Sequence, residues 1–163
     1  MEHSPAEREI TSQYEKLLVA LSASGIDFAV VGGLAVIFNG YPRLTLDVDI
    51  LVADTPANLR GLLENLSHWG EGFARELTPA DFVPQEGSIR VSEDFDLDIF
   101  TRMRGRTLDD FRPRLRYFTA SGVRIPYLAP ADLIYLKQGS WRDKDKLDVA
   151  ALRGILTEEE KQP

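Results

Sequence analysis

The run Val30-Val31-Gly32-Gly33-Leu34-Ala35 constrains the fold of this chain more than any other stretch. Asp27 to Val31 reads as a short buried strand that has to stop at the two glycines. Leu34 to Phe38 is apolar and reads as a short helix, ended by Asn39-Gly40 and Pro42. Leu44 to Val52 is β-branched or alternating and reads as a second strand, after which Thr55-Pro56 opens a helix to about Leu66. Two strands joined through a glycine-started helix imply a sheet with helices packed on it.

The remaining segments extend that architecture. Ile10, Tyr14, Leu17, Leu18 and Leu21 fall at helical spacing, so an amphipathic first helix is expected to close at Gly25. Phe73 to Leu77 reads as a strand and Thr78 to Gln85 as a loop. Ser88 to Val91, Phe95 to Thr101 and Val123 to Leu128 read as further strands. Ala129-Pro130 opens a helix ending near Gly139, and a last helix runs from about Asp143 to Leu156. The expectation is an α/β (α+β) fold, a mixed β-sheet flanked by helices, in a single domain over residues 1–163, a length that buries a real core without staples.

Composition removes several function classes. There is no cysteine, hence no disulfide framework and no thiolate zinc site. The first residues carry acid where a signal peptide carries base, and no apolar run spans a bilayer, so no membrane partner and a cytoplasmic address are expected. A net charge of −7 argues against a surface that coats nucleic acid. The average hides one reversal: Arg102, Arg104, Arg106, Arg112, Arg114 and Arg116 face only Asp109 and Asp110. That island is either a steering surface for a polyanion or a solvated loop.

The carboxylates carry the chemistry. On a strand, Asp47 and Asp49 project to one face while Leu46, Val48 and Ile50 turn to the core. Two acids held that close repel unless a cation lies between them, and Mg²⁺ binds through one or two carboxylates plus substrate phosphates. A solvated strand end is the plain alternative. A second acidic strand follows, on which Asp94, Asp96 and Asp98 share one face and Phe95, Leu97 and Ile99 the other. Gly32 and Gly33 let backbone amides approach a phosphate without a Cβ in the way. Arg43, two residues ahead of Thr45, suits either a phosphate contact or a pairing with an acid. His68, beside Trp69 and Gly70, reads as a helix end, and His3 as part of a tail.

Taken together, Gly32-Gly33, then Arg43-x-Thr45-x-Asp47-x-Asp49, then a separate acidic strand resemble the nucleotidyltransferase superfamily of the DNA polymerase β type. The resemblance is to the small bacterial branch of minimal, lincosamide-type and toxin–antitoxin nucleotidyltransferases. The stretches Tyr127 to Lys137 and Arg142 to Leu152 are similar to that branch's lysine and arginine-lysine-aspartate motifs, so the likeness covers most of residues 27–152. Larger members carry Gly-Ser where this chain has Gly-Gly, which leaves phosphate binding to backbone amides. The resemblance implies that Asp47, Asp49 and Asp98 are the catalytic, metal-binding carboxylates, with Asp96 the alternative to Asp98. It implies Mg²⁺, two ions, with Mn²⁺ as a substitute. It assigns Gly32, Gly33, Arg43, Thr45, Lys137 and Asp145 to nucleotide binding. Without it, Lys137 is an exposed helix end and Lys144 with Asp148 an i,i+4 surface pair.

The implied activity is transfer of a nucleoside monophosphate from an NTP, ATP among them, to an acceptor, with release of pyrophosphate. An RNA or tRNA end suits the Arg102 to Arg116 island; a partner protein, as in toxin–antitoxin pairs, suits the small size; a small molecule is the third acceptor. The competing reading is a catalytically silent nucleotide-binding or partner-binding module of the same fold.

Overall fold

A computed structural model of the chain describes residues 12–82 and 86–161. In chain order its elements are α1 (Gln13–Ala23), β1 (Phe28–Val31), α2 (Gly32–Phe38), β2 (Asp47–Val52), α3 (Pro56–Leu66), β3 (Ser88–Ser92), β4 (Asp96–Phe100), α4 (Leu108–Phe111), β5 (Arg116–Ala120), β6 (Val123–Tyr127), α5 (Pro130–Lys137) and α6 (Asp143–Glu160). Ile10 and His3 lie outside the described residues. Short 3₁₀ turns occupy Phe73–Glu76, Pro79–Phe82 and Arg112–Arg114.

The six strands form one mixed sheet in the order β3-β4-β2-β1-β6-β5. β1 pairs antiparallel with β2 and parallel with β6, and β2 pairs parallel with β4; β3 and β5 are antiparallel edges. All four residues of β1 are buried, which is why Phe28-Ala29-Val30-Val31 shows no alternation: a strand covered on both faces has no polar side to display. One apolar cluster joins β1, β2 and β4 to Leu17, Leu18 and Leu21 of α1 and to Leu59, Leu62 and Leu66 of α3.

Helix signals in the sequence are realised at α3. The Thr55 hydroxyl accepts from the Asn58 amide and Pro56 supplies a preset first residue, a cap worth about 1 kcal/mol. The Asn58 side chain then bonds both the Asp27 backbone N–H and the Asp27 and Ala53 carbonyls, fastening the helix to the strand ends.

Three expectations are corrected. Phe73 to Leu77 is a 3₁₀ turn rather than a strand, because Gly70 and Gly72 adopt φ of 58° and 80° and coil the chain before it can extend. Leu46 does not face the core; it precedes the first paired residue of β2, no neighbouring strand covers it, and it is 71% exposed. The arginine-rich segment contains α4 and runs directly into β5, neither expected from the sequence. Among the described residues no helix is long and apolar enough to cross a membrane.

Candidate active site

Strand register builds the acid face. Parallel pairing sets Asp47 beside Asp96 and Asp49 beside Asp98, while antiparallel β3 sets Arg90 beside Asp98 and Ser92 beside Asp96. Residues i and i+2 share a face, so two rows cross three strands: Arg90, Asp98, Asp49 and, next to it, Ser92, Asp96, Asp47. Asp94 is not part of this array, since β4 begins at Asp96 and Asp94 lies in the turn before it.

Four carboxylates at neighbouring register positions repel, and the strain appears at Asp49. Burial, then the charge of and hydrogen bond to Asp98, then the charge of Asp47, push its carboxyl up from 3.8 to about 7, with Lys137 opposing. Asp98 is thus in direct contact with Asp49, whereas Asp96 is more exposed and accepts from the Ser92 hydroxyl at 2.6 Å. Sequence reasoning missed the cation of this face. Arg90 donates through Nε and Nη2 to the two oxygens of Asp98, each at 2.9 Å, and through Nη1 to Asp96 at 3.1 Å. Its Nη2 also stands 3.6 Å from an Asp47 oxygen. The signal was present in Arg90-x-Ser92, a polar alternation just ahead of the acidic strand, but only the register shows what it faces.

Gly32 and Gly33 stand against this face. Gly32 has φ of 65°, and a Cβ there would run into the Asp49 carboxylate. A Cβ on Gly33 would lie 2.6 Å from Arg43 Nη2 and 3.0 Å from Thr45 Oγ1. The two glycines therefore let the start of α2, the second aspartate and the Arg43–Thr45 segment converge. That segment is fixed by Tyr14, whose hydroxyl donates to the Thr45 carbonyl at 3.0 Å, and by Thr45, whose hydroxyl donates to the Asp47 carbonyl at 3.2 Å.

Behind it lies a second ionic cluster. Arg43 pairs with Asp148, Nη2 to Oδ2 and Nε to Oδ1, both at 2.8 Å. Lys137 stands 3.1 Å from Asp148 and 3.1 Å from Asp145, and Ser140 donates to Asp145 at 2.8 Å. Burial raises the Asp145 carboxyl, but the bonds from Ser140 and Lys137 outweigh it and hold it below the usual carboxylate range. Asp148 is fully buried, so it is no surface partner of Lys144, and Lys137 is no exposed helix end. Arg43 thus pairs with Asp148 of α6 rather than with either acid of the Asp47/Asp49 pair that follows it.

The sequence-predicted site residues Asp47, Asp49, Asp98, Gly32, Gly33, Arg43, Thr45, Lys137 and Asp145 thus belong to two touching clusters. Beside them opens a cleft of about 560 Å³ whose lining includes Tyr41, Leu44, Leu46, Asp47, Lys144 and Leu147. The arginine island is elsewhere occupied: Arg112 pairs with Asp27 and Asp109, Arg114 with Asp132 and Arg116 with Glu159. Arg104 and Arg106 stack over the Tyr135 ring at 5.2 and 4.2 Å. The His68 ring stands 3.4 Å from Glu64, with both side chains exposed.

Residues 8–156 match a protein family described as "Nucleotidyltransferase of unknown function (DUF6036)". The chain is a member of that nucleotidyltransferase family. Its fold is shared with solved nucleotidyltransferases. A lincosamide antibiotic adenylyltransferase with lincomycin bound is 14% identical, with a TM-score of 0.61 over 91% of this chain and 99% of that one. An antigenic nucleotidyltransferase-like protein from Paracoccidioides brasiliensis is 17% identical, with a TM-score of 0.52 over 87% and 74% of the two chains. A putative nucleotidyltransferase from Thermotoga maritima is 18% identical, with a TM-score of 0.51 over 88% and 90%. No curated protein matches this family member significantly in sequence.

The family implies a divalent cation, and the donors of the acid face suit one: carboxylate oxygens only, hard ligands of the kind Mg²⁺ and Mn²⁺ prefer. Burial, with the charges of Asp98 and Asp47, raises the Asp49 carboxyl, and a cation placed there would relieve it. Among the described residues no group of three or more acidic or histidine side chains converges as a ready metal cage, and Asp98 is turned toward Arg90 instead. Asp47 and Asp49 are the pair best placed to hold the ion.

Proposed function

We propose that this chain is a Mg²⁺-dependent nucleotidyltransferase that moves a nucleoside monophosphate from an NTP to an acceptor hydroxyl. The observation carrying this reading is the raised Asp49 carboxyl inside a register-locked array of aspartates, set against a glycine pair. Such an array is costly to fold unless a cation completes it.

In this reading Asp47 and Asp49 hold the metal ion, which when bound neutralises phosphate charge and orients the α-phosphate. Gly32 and Gly33 let the triphosphate approach the backbone. Lys137, Arg43, Thr45 and Asp145 shape the far wall, with Asp148 holding Arg43 and Lys137 in place. Asp98 has lone pairs left after its fork with Arg90 and takes the acceptor proton as the acceptor oxygen bonds to the α-phosphorus and the bond to pyrophosphate breaks. Positioning and charge neutralisation supply most of the rate.

The acceptor class best matched to the neighbouring cleft is a small hydroxyl-bearing molecule with an apolar body, since leucines 44, 46 and 147 line it beside Asp47. The lincomycin-bound adenylyltransferase of the same fold agrees with that choice. An RNA acceptor draws less support, because Arg112, Arg114 and Arg116 spend their charge on Asp27, Asp109, Asp132 and Glu159. A partner protein, as in toxin–antitoxin pairs, would have to bring a side chain into the same cleft.

Incubation with α-labelled NTPs, Mg²⁺ and cell extract, followed by separation of RNA, protein and small molecules, tests the reading. Label is expected in the small-molecule fraction and to be lost with Asp47→Asn. Equal labelling by wild type and Asp47→Asn would overturn the mechanism. A second reading, a nucleotide-binding module without turnover, rests on Arg90 already filling part of the acid face. It is favoured if Mg²⁺ and NTP bind together but no label moves.

A further inference from the structure

Arg90 is the cation paired with the acid face, and the nucleotidyltransferase reading gives it no role. It comes from edge strand β3, and its guanidinium crosses two strands to meet three carboxylates: Asp98 through a two-pronged bond, Asp96 at 3.1 Å and Asp47 at 3.6 Å. Two of those three, Asp47 and Asp98, are the acids to which the proposed function gives metal and proton work. The fork on Asp98 is fixed by register, because Arg90 and Asp98 are direct cross-strand partners, as are Ser92 and Asp96. The Arg90 side chain is nevertheless about half exposed, at 51%, so its head can leave without unpacking the core.

We propose that Arg90 is the resident cation of the acid face: it holds Asp98 and Asp47 in the nucleotide-free protein and competes with the divalent cation for Asp47. A guanidinium 3.6 Å from an Asp47 oxygen and a divalent cation bound to that carboxylate are like charges a few ångströms apart, and they repel. The free protein therefore binds metal weakly, and metal enters together with the triphosphate, whose added negative charge outweighs the competition. Arg90 acts as a positioning residue. It spares the nucleotide-free fold the repulsion of four clustered aspartates and ties ion binding to arrival of the nucleotide. This inference rests on the proposed function, and its test separates the two.

The test is Mn²⁺ retained with the protein in equilibrium dialysis, corrected for Mn²⁺ held by free nucleotide, on wild type, Arg90→Ala, Arg90→Lys and Asp47→Asn, with and without a non-hydrolysable NTP analogue. Without nucleotide, Arg90→Ala is expected to bind Mn²⁺ about tenfold more tightly than wild type or better. Arg90→Lys keeps the charge but loses the fork and falls between the two. With the analogue present the difference narrows, because nucleotide has already displaced the guanidinium. If Arg90→Ala binds no more tightly than wild type while wild type does bind Mn²⁺ with the analogue, Arg90 is no competitor and the inference fails alone. If wild type binds no Mn²⁺ even with the analogue, and Asp47→Asn behaves identically, the proposed function fails and takes the inference with it. Should Arg90→Ala not fold, Arg90→Lys decides: tighter binding than wild type upholds the competition, equal binding ends it.

Discussion

Two ionic clusters meet at Arg43–Thr45, and they are built on opposite principles. Behind the segment, Arg43 and Lys137 face Asp145 and Asp148, two cations for two anions, with Asp148 fully buried and contacted by both cations. In front, Arg90 faces Asp47, Asp96 and Asp98, and the Asp49 carboxyl beside them is lifted to about 7 by its burial and by the charges of Asp98 and Asp47, against which Lys137 acts. The balanced cluster asks for nothing more and holds the fold. Under the proposed function, the unbalanced one is completed by a divalent cation with its nucleotide. The same residue types, aspartate with arginine or lysine, are structural in one place and poised for chemistry a few residues away.

The back cluster depends most on Asp148. Replacing it with alanine leaves Arg43 and Lys137 without their buried anion and is expected to cost about 3–5 kcal/mol in a denaturant titration. A loss under about 1 kcal/mol would mean the cluster is not structural. At the front the sign reverses. Asp49→Asn removes a repelled charge and is expected to stabilise the metal-free protein by about 1–3 kcal/mol at pH 8 while abolishing transfer.

The pH dependence follows from the same residue. The folded protein holds a proton on Asp49 that the unfolded chain, near 3.8, has already lost, so between pH 4 and 7 the native state binds more protons. Stability from this group is complete below about pH 4 and is lost as pH rises through about 7. Unfolding of the metal-free protein across that window is expected to show this decline in wild type and not in Asp49→Asn; parallel curves would remove Asp49 as the titrating group.

Smaller effects sharpen the boundary between the clusters. Gly32→Ala puts a Cβ against the Asp49 carboxylate at φ of 65° and is expected to cost about 1–2 kcal/mol and weaken nucleotide binding, read by calorimetry. Arg112→Ala, which breaks exposed pairs to Asp27 and Asp109, is expected to cost less than about 1 kcal/mol and to leave transfer unchanged. A drop in transfer comparable to Gly32→Ala would return the arginine island to the site.

Much of this was legible from local pattern. The apolar run into Gly32-Gly33, the alternation through Asp47 and Asp49, and the cap at Thr55-Pro56 each mark their element within a few residues. What stayed hidden depends on partners distant in sequence. Asp148 sits at i+4 from Lys144 whether it is solvated or buried; only the packing of α6 against α5 and Arg43 decides. Arg90 looks like any edge-strand arginine until the register of three strands places it beside Asp98. In β5, Tyr117, Phe118 and Thr119 are good strand formers, but the arginines around them give the segment the pattern of a solvated loop, and those charges are answered by Asp132 and Glu159 across the fold.

The central claim is that the front cluster is an incomplete ionic site that Mg²⁺ and an NTP complete together. Thermal unfolding of wild type and Asp49→Asn with Mg²⁺ alone, NTP alone and both tests it most directly. The account predicts a rise in Tm for wild type that requires both ligands and exceeds the sum of the two separately, and none of that excess in Asp49→Asn. An equal rise in the two proteins, or no rise in wild type, would contradict it.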